Sequence, residues 1–567
     1  MKGKHFHTKI RLHRQKGAQM KYNFSLQKKD GVRVPTNMLY DMTNSDLKVN
    51  FGFLTEKNKR KQNGLQISEL NSGFDTVYWY RESDITKIIA DEYGCYIDGN
   101  CSDQIPLTFI TEIPEEGNYQ VKITLYAVKE VKEVYIFLGR RRLAYIGSIQ
   151  AGHCFEKTFV TNICPIIPRG YSTEMKDSTL DITVIGDKVH LQHIEIEAVK
   201  CRTMYIAGDS TICDQSADYP YYPSHSYSGW GQMLPYYLGT SFAVSNHAHS
   251  GLTTESFRSE GHYKIMLDRI KEGDICLFQF GHNDQKLAHL MADGGYRQNL
   301  ILYIKEIQEK GAQPILVTPL ARNTWKGNDD TYNDLLDGYA QECKKISKEF
   351  QIPLVDLHYK SKELVTQLGR DKVKSYYFPS DYTHSNDYGA FLFAAYVYDE
   401  LLKNGAIQED HKESRFKWNP PKVLPEIVPP VDWDFIEDPN AEKLFENLEN
   451  PDDNLTRVGA LELAITAMHF FPTNVYNDAF EDIVGHELYA GTVECAYQNG
   501  LIPEDMIKND RFLPQNNITG REFMGIVMNG YRSRKGNQKL DISFETIRNC
   551  QTISRRTAAD ICKQLHI

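Results

Sequence analysis

The stretch 203–211 (Thr-Met-Tyr-Ile-Ala-Gly-Asp-Ser-Thr) constrains this chain more than any other. Met204 to Ala207 suit a strand buried on both faces, and they run through Gly208 into a sharp polar turn that holds a serine. In open α/β sheets ligands collect beyond the carboxyl ends of the strands. Ser210 is thereby placed as a candidate nucleophile.

Three further polar clusters follow strand-like runs in the same way. The run 241–248 leads to Ser250 and Gly251, the run 274–280 leads to Gly281-His282-Asn283-Asp284, and Asp381-Tyr-Thr-His384 lies further on. Helical patterns cover 296–310 and 332–350, and short apolar runs cover 314–317 and 353–357. This alternation predicts a three-layer α/β domain, a parallel sheet with helices on both faces, whose strand ends bring the clusters together.

A serine hydroxyl is a poor nucleophile until a base takes its proton, and the base needs a third group to hold its tautomer. Ser210, His384 and Asp381 can fill these roles, because a three-residue turn lets the carboxylate reach Nδ1 while Nε2 points at the serine. The segment from Ser385 onward reads as a capped helix that fixes the loop. Taken singly, the Asp381 and His384 pair also fits a solvated loop, and Gly281 and Asn283 fit plain turn residues. Asp209 is read as a brace for its turn and His282 as a support for its loop. His247 and His249 stand two apart at a strand end, but no third ligand has defined spacing, so no metal and no cofactor is expected.

Gly208-Asp209-Ser210, Gly251, Gly281-His282-Asn283-Asp284 and Asp381-x-x-His384 stand in the order and spacing of the four blocks of the SGNH (GDSL-type) hydrolases, which the chain resembles over about 201–405. The phrases Gly-Asp-Ser-Thr, Gly229-Trp-Gly-Gln232, 246–254 (Asn-His-Ala-His-Ser-Gly-Leu-Thr-Thr) and Gly-His-Asn-Asp are similar to the rhamnogalacturonan acetylesterases within that family. The resemblance implies a flavodoxin-like domain and an oxyanion hole formed by the backbone N–H groups of Ser210 and Gly251 and the side-chain amide of Asn283. Gly251 suits that task because a missing Cβ lets backbone approach closely, and Asn283 because it is a neutral donor. It also implies a serine esterase that removes acetyl groups from plant cell-wall saccharides, pectic ones first, through an acyl-enzyme. One departure stands out: related esterases carry Gly-Arg-Ser where this chain has Gly251-Leu252-Thr253, which removes a cation that could meet a uronate. Xylan or mannan acetylesterase, a lipase or thioesterase of the same fold, and a non-catalytic polysaccharide-binding protein are the competing readings. Polar material such as 219–227 suits sugar hydroxyls better than an acyl tunnel.

At 567 residues the chain is too long for a single core. Residues 1–20 read as a basic, disordered leader, 21–200 as an antiparallel β-sandwich, 201–408 as the catalytic domain, 409–450 as a Pro-rich linker and 451–567 as a small α-helical domain. The sandwich rests on period-two runs such as 120–126, 180–185 and 191–197, and phrases such as 114–121 resemble galactose-binding-type modules, with Tyr78, Trp79 and Tyr80 as stacking candidates. The linker holds six prolines over 415–439, among Trp418 and Trp433, and is read as unpacked. The C-terminal pattern resembles S-layer homology repeats in about one and a half copies, with Thr519 and Glu522 at capping-box spacing. A structural or dimerising role is expected of it, and homo-oligomerisation stays open.

The net charge of -10 argues against a nucleic-acid partner, and no apolar run approaches the roughly 20 residues of a membrane span. The first 21 residues carry seven Lys or Arg and no acid, but no apolar segment follows, so a secretory signal is not expected, and either Met1 or Met20 could be the start. Eleven scattered cysteines suit reduced thiols, hence a cytoplasmic location, with the cell surface as the alternative. An acetylated oligo- or polysaccharide is the expected partner.

Overall fold

The computed structural model describes residues 19–40, 51–53, 86–99, 102–167, 174–215, 221–326, 331–379, 381–408, 415–422, 450–468, 470, 480, 482–483 and 489–565, apart from 28, 29, 39, 175, 178 and 537. Tyr78, Trp79, Tyr80 and Trp433, together with the leader up to residue 18, lie outside the described residues.

The central sheet has five strands in the order Phe242–Asn246, Arg202–Gly208, Ile275–Gln279, Gln313–Val317, Leu354–Val355, all parallel. Both faces are covered, and the strand sequences divide accordingly. Met204, Ile206, Val244, Leu277 and Ile315 join one apolar cluster with the helix Asp387–Lys403, while Tyr205, Ala207, Cys276, Phe278 and Leu316 join another with the helices Arg297–Glu309 and Asp337–Phe350. Chain order reverses between the serine-bearing strand and Ile275–Gln279, which makes the crevice beyond their carboxyl ends the switch point at which such sheets bind ligands. The helical pattern expected from residue 332 begins only at Asp337, since 332–336 form an irregular segment in which the Asn333 N–H donates to Thr324 O and the Asp334 carboxylate meets His358.

Ahead of this domain lie two mostly antiparallel sheets that share one apolar core. One has five strands in the order Phe51–Phe53, Leu107–Glu112, Thr179–Ile185, Val131–Leu138, Arg142–Ile149. The other has seven and includes Gly117–Ala127 and His190–Ala198. Period-two alternation in Val131–Leu138 serves two cores at once: Val134, Ile136 and Leu138 face the inner core, while Tyr135 and Phe137 pack with Tyr221 and Trp418 against the catalytic domain. The N-terminal unit is therefore not a bead on a string.

After the catalytic domain the helices Arg457–Ala467, Ala490–Gln498, Gly520–Lys535 and Arg555–Cys562 enclose a separate apolar cluster. Thr519 and Glu522 form the expected capping box. This unit reaches the catalytic loop region, because Glu494 and Cys495 lie near enough to Tyr382 to add to the upward shift that burial gives its hydroxyl. Among the described residues no helix is long and apolar enough to cross a membrane.

One expectation needs correction. Residues 415–418, read as unpacked linker, pack against the catalytic domain: Arg415 pairs with Asp399 at 2.7 Å, the Phe416 N–H donates to Tyr236 Oη at 2.9 Å, and Trp418 is buried among Tyr135, Tyr388 and Phe391. Prolines fix backbone angles, but they do not stop a neighbouring indole from filling a gap between two units. Trp418→Ala should therefore destabilise the protein by about 3–5 kcal/mol, read as a lowered urea midpoint, whereas an unshifted midpoint would mean that the segment is an unpacked strap.

Candidate active site

Gly208 ends the serine-bearing strand where a Cβ would meet Gln279 O and Ile212 Cγ2, each at 2.5 Å. Only glycine fits there, and the chain turns directly into Asp209 and Ser210. The turn is braced from within, since Asp209 Oδ1 accepts from the Thr211 N–H at 2.9 Å and from the Thr211 hydroxyl at 2.7 Å. His384 arrives from the far end of the domain, on the loop that precedes the helix Asp387–Lys403. That helix is capped by Asn386, whose side chain accepts from the Gly389 N–H at 3.0 Å.

The structure brings Ser210, His384 and Asp381 into one line. The Ser210 Oγ to His384 Nε2 distance is 2.7 Å, and His384 Nδ1 stands 2.8 Å from Asp381 Oδ2. The carboxylate only accepts, so Nδ1 carries the proton and Nε2 is left as the acceptor for the serine O–H. Asp381 Oδ1 also accepts from the N–H groups of Thr383 at 2.7 Å and His384 at 2.9 Å. Burial pushes the Asp381 carboxyl up, but the His384 ring and these N–H groups outweigh it and hold it below the usual carboxylate range. Tyr227 closes this side, its ring edge-on to His384 with centroids 5.8 Å apart and stacked on Phe378.

The second and third blocks are sewn to the first. The His249 N–H donates to Gly208 O at 3.1 Å, and Asn283 Nδ2 donates to Leu252 O at 3.0 Å. The second amide hydrogen of Asn283 remains available. Among the described residues, the N–H groups of Ser210 and Gly251 donate to no protein acceptor. The backbone at Gly251 itself calls for glycine. Its φ is 85°, in the left-handed region, while nothing lies within 4 Å of where its Cβ would be.

Asp209 and His282 form a fully buried pair, with His282 Nδ1 at 3.2 Å from Asp209 Oδ2 and His282 Nε2 donating to Leu320 O at 2.9 Å. Both ring nitrogens are engaged, so His282 cannot serve as a base for the serine. Burial raises Asp209, but His282 and Thr211 pull it below its ordinary value. His247 and His249 do not converge on a common point. His247 Nε2 stands 2.9 Å from Ser245 Oγ, while His249 Nδ1 donates to its neighbour Ser250 O at 2.9 Å. Burial and the nearby Arg140 push the His247 pKa down to about 3. Elsewhere Asp334, Asp337 and His358 come within metal-binding distance of one another, but Lys362 already pairs with Asp334 at 2.7 Å.

Several contributors were not singled out from the sequence. Trp230 Nε1 donates to Gln279 Oε1 at 2.7 Å, and Gln279 Nε2 donates to Thr211 Oγ1 at 2.6 Å, which ties the helix after the first block to the strand before the third. Gln232 Nε2 donates to Gln215 O at 2.9 Å and steadies the segment after the serine. The signal for these residues was the phrase 229–232, whose polar Gln232 sits in an otherwise apolar helix.

Residues 206–390 match the model of the GDSL-like Lipase/Acylhydrolase family. The chain is 30% identical over 305 residues to the Uncharacterized esterase YxiM of Bacillus subtilis, spanning 53% of this chain and 75% of the relative. It is 32% identical over 227 residues to the Rhamnogalacturonan acetylesterase RhgT of the same organism, spanning 37% of this chain and 94% of the relative. The chain belongs to the GDSL-like lipase/acylhydrolase family. It is a serine ester hydrolase built on the α/β fold of that family, with additional N- and C-terminal regions. A further relative, the Rhamnogalacturonan acetylesterase of Emericella nidulans, is 25% identical over 233 residues, which span 37% of this chain and 88% of the relative.

Asp284, the last residue of the third block, is fully buried and accepts from Thr254 N at 2.9 Å, Thr254 Oγ1 at 2.6 Å and Gly281 N at 3.1 Å. Burial raises its pKa to about 6 in spite of the lowering by Thr254. Its folded value lies above the unfolded value of about 3.9, so its contribution to stability is fully present below the unfolded value and lost as pH rises through about 6. Urea unfolding of Asp284→Asn should therefore lack part of the decline in stability that the parent protein shows between about pH 4 and 7. An unaltered pH slope would contradict this assignment.

Proposed function

We propose that this chain is a carbohydrate O-acetylesterase that removes acetyl groups from plant cell-wall saccharides, rhamnogalacturonan-type pectin first, through an acyl-enzyme on Ser210. The observation that carries the proposal is the unbroken line from Ser210 Oγ to His384 Nε2 at 2.7 Å and from His384 Nδ1 to Asp381 Oδ2 at 2.8 Å. Two named relatives, RhgT and the Emericella nidulans enzyme, supply the substrate class.

In this reading Ser210 Oγ attacks the acetyl carbonyl while its proton passes to His384 Nε2, and the carbonyl electrons move onto the oxygen. The N–H groups of Ser210 and Gly251 and the Asn283 amide hold that oxyanion, acting where charge develops rather than on the ground state. Collapse breaks the bond to the sugar oxygen, which leaves with the proton from His384. Water, deprotonated by the same ring, then releases acetate. Asp381, kept ionised, holds the Nδ1 proton and stabilises the imidazolium formed twice per turnover.

The pectic preference draws on a local replacement of charge. Leu252 stands where related esterases carry an arginine and is 3% exposed, packed in the apolar cluster with Phe257 and Phe280. Lys286, exposed and donating to Asn283 Oδ1 at 3.0 Å, places a cation beside the proposed oxyanion amide, where a uronate carboxylate could meet it. The proposal takes the N-terminal unit as a galactose-binding-type module flanking the site, and the C-terminal helices as a structural unit.

Ser210→Ala should lower kcat for acetate release by roughly 10³-fold or more, because the covalent route is lost and only binding and the oxyanion donors remain. A variant that keeps most of its acetate release would refute the role of Ser210. Acetate release from acetylated pectin, xylan and mannan oligosaccharides, set beside acetyl and octanoyl nitrophenyl esters, tests the substrate class. The expected order places acetylated pectin first and the octanoyl ester last, and preference for the octanoyl ester would instead identify a lipase.

A further inference from the structure

Three consecutive arginines, Arg140, Arg141 and Arg142, occupy the turn 139–141 and the start of the following strand in the hairpin of Val131–Leu138 and Arg142–Ile149 in the N-terminal unit. In a hairpin that faced solvent they would be exposed, but they are 4%, 1% and 3% exposed at Arg140, Arg141 and Arg142. The backbone at Arg141 is left-handed, with φ 52°, a conformation that side-chain-bearing residues seldom adopt and that persists where surrounding contacts impose it.

The acceptors that hold the side chain in place come from the catalytic domain. Arg141 Nε donates to Gln215 O at 3.0 Å, five residues after the serine. Its Nη1 donates to both oxygens of Asp387, at 2.9 and 2.7 Å, three residues after His384. Its Nη2 donates to Tyr227 O and, at 3.3 Å, to Gln232 Oε1, so that it also holds the residue whose ring lies edge-on to His384. Arg142 repeats the pattern on the serine side, with Nε donating to Asp214 Oδ2 at 3.0 Å and Nη1 to Val244 O at 2.9 Å. Asp387 has a second donor in the Tyr221 hydroxyl. A planar guanidinium with five donors suits such a junction, because it fixes several acceptors at once in one geometry.

We infer that Arg141 is a positioning residue for ester hydrolysis: one guanidinium from the N-terminal unit sets the spacing between the loop of Ser210 and the loop of His384. The N-terminal unit thereby completes the active site of the catalytic domain. Catalytic groups misplaced by as little as an ångström lose much of their effect, which is how a residue that touches no substrate can govern turnover.

The inference rests on the assignment of Ser210 and His384 as catalytic residues, and its test keeps the two apart. Full-length protein carrying Arg141→Lys, Arg141→Met or Ser210→Ala is assayed on nitrophenyl acetate, which needs no sugar subsite, with melting temperatures measured in parallel. Arg141→Lys keeps a cation beside Asp387 but cannot reach Gln215, Tyr227 and Gln232 together. It should lose about tenfold in kcat, with KM within about twofold of the parent and the protein folded at the assay temperature, and Arg141→Met should lose more. Parent-like kcat in a folded Arg141→Lys, or a loss confined to KM, would overturn the positioning role. If Arg141→Lys does not fold, the residue is a folding determinant and the inference is likewise overturned. Parent-like activity in Ser210→Ala would instead sink the catalytic reading on which the inference stands.

Discussion

A serine and a histidine 174 positions apart stand 2.7 Å from one another, and everything else in the catalytic domain serves that contact. Neither residue could hold the geometry by itself, since both lie on loops. The parallel sheet supplies the frame: Ser210 follows the strand Arg202–Gly208, the block 281–284 follows its neighbour Ile275–Gln279, and both leave the sheet at the same edge. Buried polar pairs then lock loop to loop, Asp209 with His282 and Asp284 with Thr254. Such pairs are costly if half satisfied, so each is fully engaged where it holds the fold of the site.

The flanking regions take part in this frame. From Val134 to Leu138 the strand Val131–Leu138 is buried on both sides, because its alternate residues enter two different cores. A guanidinium at the end of that strand's hairpin then reaches acceptors on both sides of the serine–histidine contact. On the opposite flank the helix Ala490–Gln498 places Glu494 near Tyr382, within the loop that carries Asp381 and His384. The N-terminal and catalytic units share part of one apolar cluster and the C-terminal helices have their own, and all three meet around one short stretch of chain.

Local order was largely legible in the sequence. The strand at Met204–Ala207, the polar clusters after later strands and the helix after Ser385 each depend on spacing and on neighbours in the chain, and those are what a sequence displays. The convergence of Ser210, His384 and Asp381 followed from the rule that loops gather at strand ends. Where physics acts across distance the reading fell short. Trp418 lay in a proline-rich stretch and gave no sign that an indole-sized gap awaited it between Tyr135 and Phe391. The left-handed backbone angle at Gly251 also calls for glycine, and a run of residue types does not display a dihedral angle. The arginines at 140–142 stand together in the sequence, but their acceptors are carbonyls and carboxylates from 20 to 246 positions away, and composition carries no trace of those.

The account turns on Ser210 being the one nucleophile made reactive by His384. The most direct test treats the full-length protein and its His384→Ala variant with a fluorophosphonate and locates the adduct by peptide mass mapping. A single adduct on Ser210, formed by the parent protein and absent from the His384→Ala variant, is the predicted result. Labelling at a different serine, or undiminished labelling of Ser210 without the imidazole, would contradict the account.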